Sequence, residues 1–311
     1  MVAQMGTRPD PRTDARPARE ARPAVAVATR TARIVVLVGF MIFFGVPLVW
    51  LLLAATRTND DLLTGFPLAF GSVDNLVTAW RHLLSYNDGE LLAWIWNSVV
   101  YSVGGLLLTL VACIPAGYAM ATMRFRGRYA LLLTTLVVMI VPGSTLVLPL
   151  FIEVSSMRLL NTPWAVILPM AFFPFGVYLT YIYYATSLPV ALLDAGRVDG
   201  CSEWQLFWSI ALPLARPIVS LVAFFAFVAN WNNYFLPFVM LTDDQKYNLP
   251  VGLAALIQSA PGVHPVFASE LPIYGPEIAL AGVVTVLPIA VIFLFSQRSM
   301  IAGIFGGAVK D

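Results

Sequence analysis

Residues 186–217 read TSLPVALLDAGRVDGCSEWQLFWSIALPLARP, a polar stretch between two long apolar segments. The segments on its two sides contain no Asp, Glu, Lys or Arg over 159–193 and 217–242. A helix needs about 20 mostly apolar residues to cross the hydrocarbon core of a bilayer, and both windows are longer than that. The stretch between them is too polar to cross, so we expect it to connect two transmembrane helices.

The composition of the whole chain favours the same membrane setting. Of its 311 residues, 59% are hydrophobic and 11% are charged, whereas about 25% of residues are charged in ordinary soluble domains. A soluble fold could not cover so much apolar surface with polar groups, but a bilayer can absorb it. Further charge-free windows cover 34–56, 91–123, 129–152, 247–269 and 278–297.

One of these windows is not expected to cross the membrane. Residues 247–269 contain three prolines together with Asn248, Gln258 and His264, and their only continuous apolar run is too short to span. We predict a folded loop outside the hydrocarbon there. The predicted fold class is therefore an all-α membrane protein with six transmembrane helices, which cover 34–55, 92–121, 130–152, 163–185, 215–240 and 277–296.

The distribution of Lys and Arg predicts the orientation of these helices. With the N-terminus inside, four of the 18 basic residues lie outside, namely Arg57, Arg81, Arg158 and Lys246, and the other fourteen lie inside. Because cytoplasmic loops carry the excess of Lys and Arg, both termini are predicted to be cytoplasmic.

The N-terminal region allows two interpretations. Residues 1–33 are predicted to be a disordered, Arg- and Pro-rich cytoplasmic tail, followed by a first transmembrane helix and an external loop over 34–91. The alternative is a cleaved signal peptide. Its basic region would be too long and its apolar run too wide, so a retained helix is favoured.

The polar stretch itself has the pattern of a helix-turn-helix bracket. Pro189 suits the first turn of a short helix, and Gly200 can adopt the left-handed conformation that ends it. Ser202 and Gln205 form the pattern of a capping box for a second helix, which brings Trp204, Phe207 and Trp208 together. Such a bracket either packs under its own bundle or docks on a partner, and periodicity leaves both possibilities open.

Three motifs resemble those of a known family. The run Asp194-Ala195-Gly196-Arg197-Val198-Asp199-Gly200, followed by Phe207, Ile210, Leu212-Pro213 and Pro217, resembles the EAA loop of ABC importer permeases. Residues 230–237, NWNNYFLP, are similar to the W-N-x-(F/Y) stretch of carbohydrate permeases, and residues 297–310 resemble the ending of MalG-type subunits. Two positions depart from the EAA pattern, since Asp194 replaces the usual Glu and Gly196 the usual Ala. Gly at that place should weaken the first helix of the bracket by up to about 1 kcal/mol.

The resemblance implies a type I ABC importer permease fold, with the permease core over 92–296 and a cytoplasmic C-terminal tail over 297–311. The implied function is that of the permease subunit in an ATP-driven, binding-protein-dependent importer of carbohydrate, with oligosaccharide as the expected cargo. The bracket would be the coupling helix that contacts the ATPase, and an acidic Asp194 could pair with a basic group there. The ATPase-coupling residues that the resemblance indicates are Asp194, Ala195, Gly196, Asp199, Gly200, Trp204 and Phe207.

The partners that the resemblance implies are a second, MalF-like permease, a pair of cytoplasmic ABC ATPase subunits and an external solute-binding protein. The protein would be a multi-pass subunit of the plasma membrane, in contact with lipid and carbohydrate and with no nucleic acid. In such relatives the loop corresponding to 243–275 contacts the solute-binding protein, and a tail like 299–311 lies against the ATPase pair.

The chain is not expected to be an enzyme, and no catalytic, metal or cofactor site is predicted on it. A phosphate-binding loop needs a Lys followed by Ser or Thr. The two lysines, Lys246 and Lys310, are followed by Tyr247 and Asp311. ATP and Mg²⁺ are therefore expected on the partner ATPase.

Polar residues within the spans are candidates for a solute pathway, because polar groups in lipid tend to face the interior. Their alternative role is hydrogen bonding between helices. His82, by contrast, is interpreted as a solvated loop residue. The candidate pathway residues are Asn97, Trp231, Asn232, Asn233 and Tyr234.

The main rival function is an ion-coupled secondary transporter of sugars. Such transporters usually bury ionisable residues at membrane depth, whereas here Glu153 and Glu277 lie only at the outer ends of predicted spans. An intramembrane enzyme is a weaker rival, because no span contains a His or Cys cluster or a pair of carboxylates.

Overall fold

The computed structural model describes residues 23–261 and 272–305, and within these ranges the chain forms helices and no strand. The first eight helices are α1 (Pro23–Ala54), α2 (Asn59–Thr64), α3 (Val73–Ser85), α4 (Glu90–Thr122), α5 (Arg128–Ile140), α6 (Gly143–Ser156), α7 (Pro163–Met170) and α8 (Pro174–Ser187). They are followed by α9 (Val190–Val198), α10 (Glu203–Leu206), α11 (Leu212–Leu214), α12 (Arg216–Trp231), α13 (Phe235–Met240), α14 (Leu249–Ser259) and α15 (Gly275–Phe305). A π-helical turn over Phe207–Ala211 joins α10 to α11.

The described helices confirm the predicted all-α membrane fold. Four helical stretches are long and apolar enough to cross a bilayer, namely Thr29–Ala54, Val73–Thr122, Pro163–Ser187 and Gly275–Gln297. The number rises to six if each of two bent helix pairs counts as one span. The first pair is α5 with α6, bent by 107°, and the second joins Glu203–Leu214 to α12 at 78°.

The first helix begins earlier than the charge pattern predicted. α1 starts at Pro23 rather than near residue 34, because the Ala-rich segment before the apolar run has good helix formers and Arg does not interrupt a helix. Residues 1–22 of the predicted tail lie outside the described part of the chain. The helix as far as Trp50 forms a unit of its own, and residues from Leu51 onward form a second unit.

Three of the predicted transmembrane helices contain breaks in the structure. The predicted helix 130–152 bends at Val141-Pro142, and the predicted helix 163–185 is interrupted over 171–173, just before Pro174. Proline lacks an N–H group and disfavours a helical residue before it, which explains both breaks. The predicted helix 215–240 is interrupted over 232–234.

The long, unbroken α4 is central to the second unit, and glycines on it allow close neighbours. A Cβ atom at Gly117 would lie 2.6 Å from Cβ of Thr180 on α8. A Cβ atom at Gly105 would lie 2.8 Å from Nδ2 of Asn230 on α12. Both distances are too short for a methyl group, as expected at the small-residue contacts of membrane bundles.

Buried clusters lie toward both ends of α4. The cluster around Tyr118, Leu206 and Phe207 contains the helices of the bracket, and we call this the bracket end. The cluster around Trp94 and Leu256 contains α3 and α14, and we call this the loop end.

The window 247–269 does not cross the membrane, as predicted, but much of it is helical. α14 has 11 residues and would be about 16 Å long, too short to span. Its Leu249 and Leu256 are buried in the loop-end cluster rather than solvated. Residues 262–271, which include His264, lie outside the described part of the chain.

Candidate functional site

The predicted helix-turn-helix bracket is present, and each expected turn element forms. Gly200 has a φ of +82°, and the N–H of Cys201 donates to the carbonyl of Gly196 at 2.9 Å, which closes the end of α9. Ser202 begins the second arm with a complete capping box. Its N–H donates to Oε1 of Gln205 at 2.8 Å, and the N–H of Gln205 donates to its Oγ at 3.3 Å.

Gly196 allows the two arms of the bracket to pack closely. A Cβ atom there would lie 2.5 Å from Cδ2 of Leu206, whose side chain is fully buried. The departure from the Ala of the EAA pattern therefore has a steric explanation. Its expected effect, a weaker first helix, is accompanied by a tighter contact between the arms.

The inner face of the bracket packs under the helix bundle. Leu193 from the first arm and Leu206 and Phe207 from the second are buried in the bracket-end cluster. The ring centroid of Phe207 lies 5.2 Å from that of Tyr118 on α4. Of the predicted coupling residues, Phe207 thus contacts its own bundle.

The exposed side of the bracket carries large apolar side chains among polar ones. The side chains of Trp204 and Trp208 are 64% and 51% exposed, and their rings meet edge to face at 5.5 Å. Val190 and Val198 on the first arm are also exposed. Trp208 and Val198 are not among the predicted coupling residues. For Trp208 a signal existed, because its i, i+4 spacing from Trp204 predicts that both tryptophans lie on one helix face.

Charged groups cross the elbow of the bracket. Arg197 contacts Asp194 through Nη1 at 2.9 Å and Glu203 through Nε at 2.8 Å. The hydrogen bond from Arg197 lowers the pKa of Glu203 below its usual range. Asp194, which the resemblance had suggested as a partner for a basic ATPase group, is paired here within its own chain.

A cavity of about 330 Å³ lies where the three broken helices meet. Its lining includes the first turn of α6 at Gly143 and Ser144, the α7–α8 break at Phe172 and Phe173, and the region of the α12–α13 break. Irregular backbone at membrane depth is tolerated where it is buried in protein or lines a cavity. Broken helices also form the substrate sites of several transporter folds. The full lining consists of Gly143, Ser144, Leu146, Val147, Leu150, Pro169, Met170, Phe172, Phe173, Ala229, Asn230, Asn233, Phe235 and Leu236.

Side chains of α4 bind the carbonyl groups that the α7–α8 break sets free. Oγ1 of Thr109 lies 3.5 Å from the carbonyl of Met170 and 3.4 Å from that of Ala171. One turn later, Sγ of Cys113 donates to the carbonyl of Phe173 at 3.4 Å. The break is therefore supported by its neighbour, which is the usual way such interruptions persist in membrane bundles.

The predicted pathway residues of the fifth helix occupy different surroundings. Asn233 lines the cavity. Trp231 is buried, and its Nε1 donates to the carbonyl of Thr285 at 2.9 Å. Asn232 and Tyr234 are exposed and are not part of the cavity lining. Asn230 belongs to the 230–237 motif but is not one of the predicted pathway residues; it is buried and lines the cavity.

Asn97 lies at the loop end, away from this cavity, as one of several α4 side chains that hold residues 244–249. Its amide donates to the carbonyls of Gln245 and Tyr247 at 2.8 and 3.1 Å. The same α4 face offers Trp94, Ser98 and Tyr101, which bond to Asp244, Leu249 and Lys246 respectively. These contacts correspond to the interhelical alternative considered for Asn97.

His82 is not an isolated loop residue, contrary to the sequence interpretation. It lies on the amphipathic helix α3, and its Nδ1 is 2.8 Å from Oε1 of the buried Glu277 on α15. The other carboxylate oxygen of Glu277 accepts the N–H of Tyr274 at 3.0 Å. The pair joins α3 to the start of α15.

Comparison with known proteins places these features in a family. Residues 113–305 match the family described as the binding-protein-dependent transport system inner membrane component. The arabinooligosaccharides transport system permease protein AraQ of Halalkalibacterium halodurans is 35% identical over 280 residues, which cover 87% of this chain and 93% of that protein. The diacetylchitobiose uptake system permease protein NgcG of Streptomyces coelicolor is 29% identical, over 85% of this chain and 84% of that protein.

A solved structure shares the fold. It is described as a bacterial ABC transporter involved in the import of the acidic polysaccharide alginate, and the matched chain superposes with a TM-score of 0.74. The match covers 89% of this chain and 98% of that chain at 21% identity. With the family match and the AraQ relative, this likeness confirms the resemblance drawn from the motifs. The chain belongs to the family of inner membrane components of binding-protein-dependent transport systems.

Proposed function

We propose that this chain is the permease subunit of an ATP-driven, binding-protein-dependent importer of oligosaccharide in the plasma membrane. Relatives are named as permeases for arabinooligosaccharides, diacetylchitobiose and lactose, which supports a carbohydrate cargo. The observation that carries the proposal is the bracket, whose inner face is buried in its own bundle and whose outer face exposes Trp204 and Trp208. Large exposed apolar side chains in a polar connection are typical of a protein contact.

In this proposal the bracket is the coupling helix for a cytoplasmic ATPase subunit. Trp204 and Trp208 fill apolar hollows on that subunit, and tryptophan is enriched among residues that dominate binding energy. Asp194, Ala195, Gly196, Asp199 and Gly200 form the rest of the coupling site. Their role is to set the shape of the elbow, and Phe207 ties the second arm to the bundle.

The cavity at the three breaks forms this chain's part of the solute pathway. The amide group of Asn233 can bind sugar hydroxyls, whereas Nδ2 of the buried Asn230 donates to the carbonyl of Ser102 on α4. The aromatic faces of Phe172 and Phe173 suit the apolar faces of sugar rings. A second permease closes the other side of the pathway. Switching between two packed arrangements of the helices then exposes the cavity to one side of the membrane at a time.

The remaining partners follow from the same scheme. Residues 243–275 contact the external solute-binding protein, and α4 holds the start of this segment through Trp94, Asn97 and Tyr101. ATP and Mg²⁺ bind to the paired ATPase subunits, and this chain contributes no catalytic group.

The test is uptake of radiolabelled oligosaccharide by proteoliposomes that contain this chain, its companion permease and the ATPase subunits, with the cognate solute-binding protein outside. We expect uptake only with ATP inside and all components present. Uptake driven by a proton or sodium gradient without the ATPase would contradict the proposal and favour the secondary transporter.

A matched pair of variants tests the docking face. Trp204→Ala should reduce the amount of ATPase subunit that co-purifies with the permease, by roughly 10-fold or more if it contributes at least about 1.4 kcal/mol to binding. Trp164→Ala is the control, because Trp164 on α7 is similarly exposed at 53% but lies outside the bracket. Equal loss of the ATPase subunit in both variants would contradict docking through the bracket.

A further inference from the structure

We propose that Arg197 and Glu203 are positioning residues that, together with Tyr118, latch the bracket to α4 so that the bracket and this helix move as one body. This inference rests on the proposed coupling function and specifies the route by which motion enters the bundle.

The first part of the latch joins the two arms of the bracket. Arg197 is on the last turn of α9 and Glu203 is the first residue of α10. Nε and Nη2 of Arg197 donate to the two carboxylate oxygens of Glu203 at 2.8 and 3.3 Å. Two parallel bonds between a planar guanidinium and a planar carboxylate fix the relative orientation of the groups as well as their distance.

Arg197 also braces its own arm. Its Nη1 donates to Oδ1 of Asp194 at 2.9 Å, one turn earlier on α9. The guanidinium is therefore held from both sides of the elbow. A Cβ atom at Gly200 would meet no other atom within 4 Å, so the turn itself is open, and the ion pair adds to the contact that Gly196 and Leu206 make between the arms.

The second part of the latch joins the bracket to the bundle. The hydroxyl of Tyr118 on α4 donates to Oε2 of Glu203 at 3.3 Å. The Tyr118 ring is buried between Tyr184 and Phe207, with centroid distances of 5.5 and 5.2 Å. Its position is thus fixed by packing, and Glu203 connects the elbow to a rigid point of the central helix.

The latch is suited to positioning rather than to holding the fold together. The side chains of Arg197 and Glu203 are 34% and 39% exposed, and ion pairs of that exposure contribute little to stability. Burial of Leu193, Leu206 and Phe207 keeps the bracket attached whether or not the latch forms. Loss of the latch should therefore leave a folded permease whose bracket is held to α4 by apolar contacts alone, so that its orientation on that helix is less strictly fixed.

The experiment compares Tyr118→Phe, Glu203→Gln and Arg197→Gln in the assembled transporter. Each is assayed in proteoliposomes for solute imported per ATP hydrolysed, and in detergent for co-purification of the ATPase subunit. The control is Tyr181→Phe on α8. The ring of Tyr181 stacks on that of Tyr178, and its hydroxyl forms none of the latch bonds.

We expect all three latch variants to retain the ATPase subunit at the wild-type level. The ratio of solute imported to ATP hydrolysed should fall by about fivefold or more in Glu203→Gln and Arg197→Gln, since about fivefold is the lower end of the effects seen for coupling between distant sites. The ratio should fall by less in Tyr118→Phe. The double variant Arg197→Gln/Glu203→Gln should be no worse than either single variant, because both changes break one unit. Tyr181→Phe should match the wild type.

The outcomes separate this inference from the proposed function. A wild-type import ratio in Glu203→Gln and Arg197→Gln would overturn the latch and leave docking through the bracket untouched. Loss of the ATPase subunit from these variants would also overturn it, because the pair would then serve the docking surface itself. Failure of the wild-type permease to bind any ATPase subunit would overturn the proposed function and the latch together.

Discussion

Replacing Gly196 by Ala restores the residue that the EAA pattern usually has at this place, and the structure predicts that the change is unfavourable here. The new Cβ would lie 2.5 Å from Cδ2 of Leu206, well inside van der Waals contact. Leu206 is fully buried and cannot turn its side chain into solvent. Overpacking of this kind costs about 1–3 kcal/mol, whereas Ala in place of Gly within a helix contributes about 1 kcal/mol.

The expected net effect is a destabilisation of about 0–2 kcal/mol, with about 1 kcal/mol as the central value. At about 2–4 °C per kcal/mol, the range for domains of 150–250 residues, the melting temperature of this longer chain should fall by no more than a few degrees. Gly39→Ala on α1 is the control for helix propensity alone, since a Cβ atom there would meet nothing within 4 Å. Its melting temperature should stay level or rise.

The rescue experiment is Gly196→Ala combined with Leu206→Val, which shortens the side chain that the new methyl group would strike. The double variant should be more stable than the sum of the two single changes predicts, by roughly 1 kcal/mol, because residues in contact couple by 0.5–3 kcal/mol. The assay is thermal unfolding of the purified permease followed by tryptophan fluorescence. A higher melting temperature for Gly196→Ala alone, or strict additivity in the double variant, would refute the close packing of the two arms.

Three further predictions follow from single positions. The Gly200→Pro variant should insert into the membrane normally yet abolish coupled uptake, since proline cannot adopt a φ of +82° and lacks the N–H that donates to the carbonyl of Arg197. Normal uptake by this variant in vesicles would contradict the role of the bracket as a lever. Gly117→Ala should destabilise the α4–α8 contact by about 1–3 kcal/mol, because its Cβ would lie 2.6 Å from Cβ of Thr180; a melting temperature equal to that of Gly39→Ala would contradict this. The pKa of Glu203 is lowered, chiefly by the Arg197 hydrogen bond, so the stabilisation from this pair is present above the usual value of 4.5 and is lost as the pH falls below it. Acidification should therefore change the Trp204 signal, measured as the difference in fluorescence between the wild type and Trp204→Phe. The same change in a Glu203→Gln background would contradict the role of Glu203.

The charge pattern could predict which stretches are apolar enough to cross, because ionisable groups are costly in lipid. It could not predict where the crossing helices break. Pro115 and Pro149 lie inside continuous helices, whereas Pro142 and Pro174 follow breaks. The difference depends on neighbours that are distant in the sequence, such as the α4 side chains that donate hydrogen bonds to the free carbonyl groups at the α7–α8 break.

The shape of the bracket could be predicted because the residues that determine it are close together in the sequence. Gly200 and the Ser202–Gln205 box act through bonds to nearby backbone, so their spacing carries the information. The tie from Glu203 to Tyr118 and the pair between His82 and Glu277 join residues far apart in the chain. His82 was misassigned because α3 is short and amphipathic, and a search for long charge-free windows does not detect such a helix.

The unbroken course of α4 has a consequence for how events on the two faces of the membrane are linked. Its 33 residues give a length of about 50 Å, with the grip on residues 244–249 near its start and Tyr118 near its finish. We expect such a helix to behave as a connecting rod. Binding of a loaded solute-binding protein on one face and closure of the ATPase subunits on the other would then both act on the tilt of this one stiff helix. The two events either favour the same tilt or oppose each other.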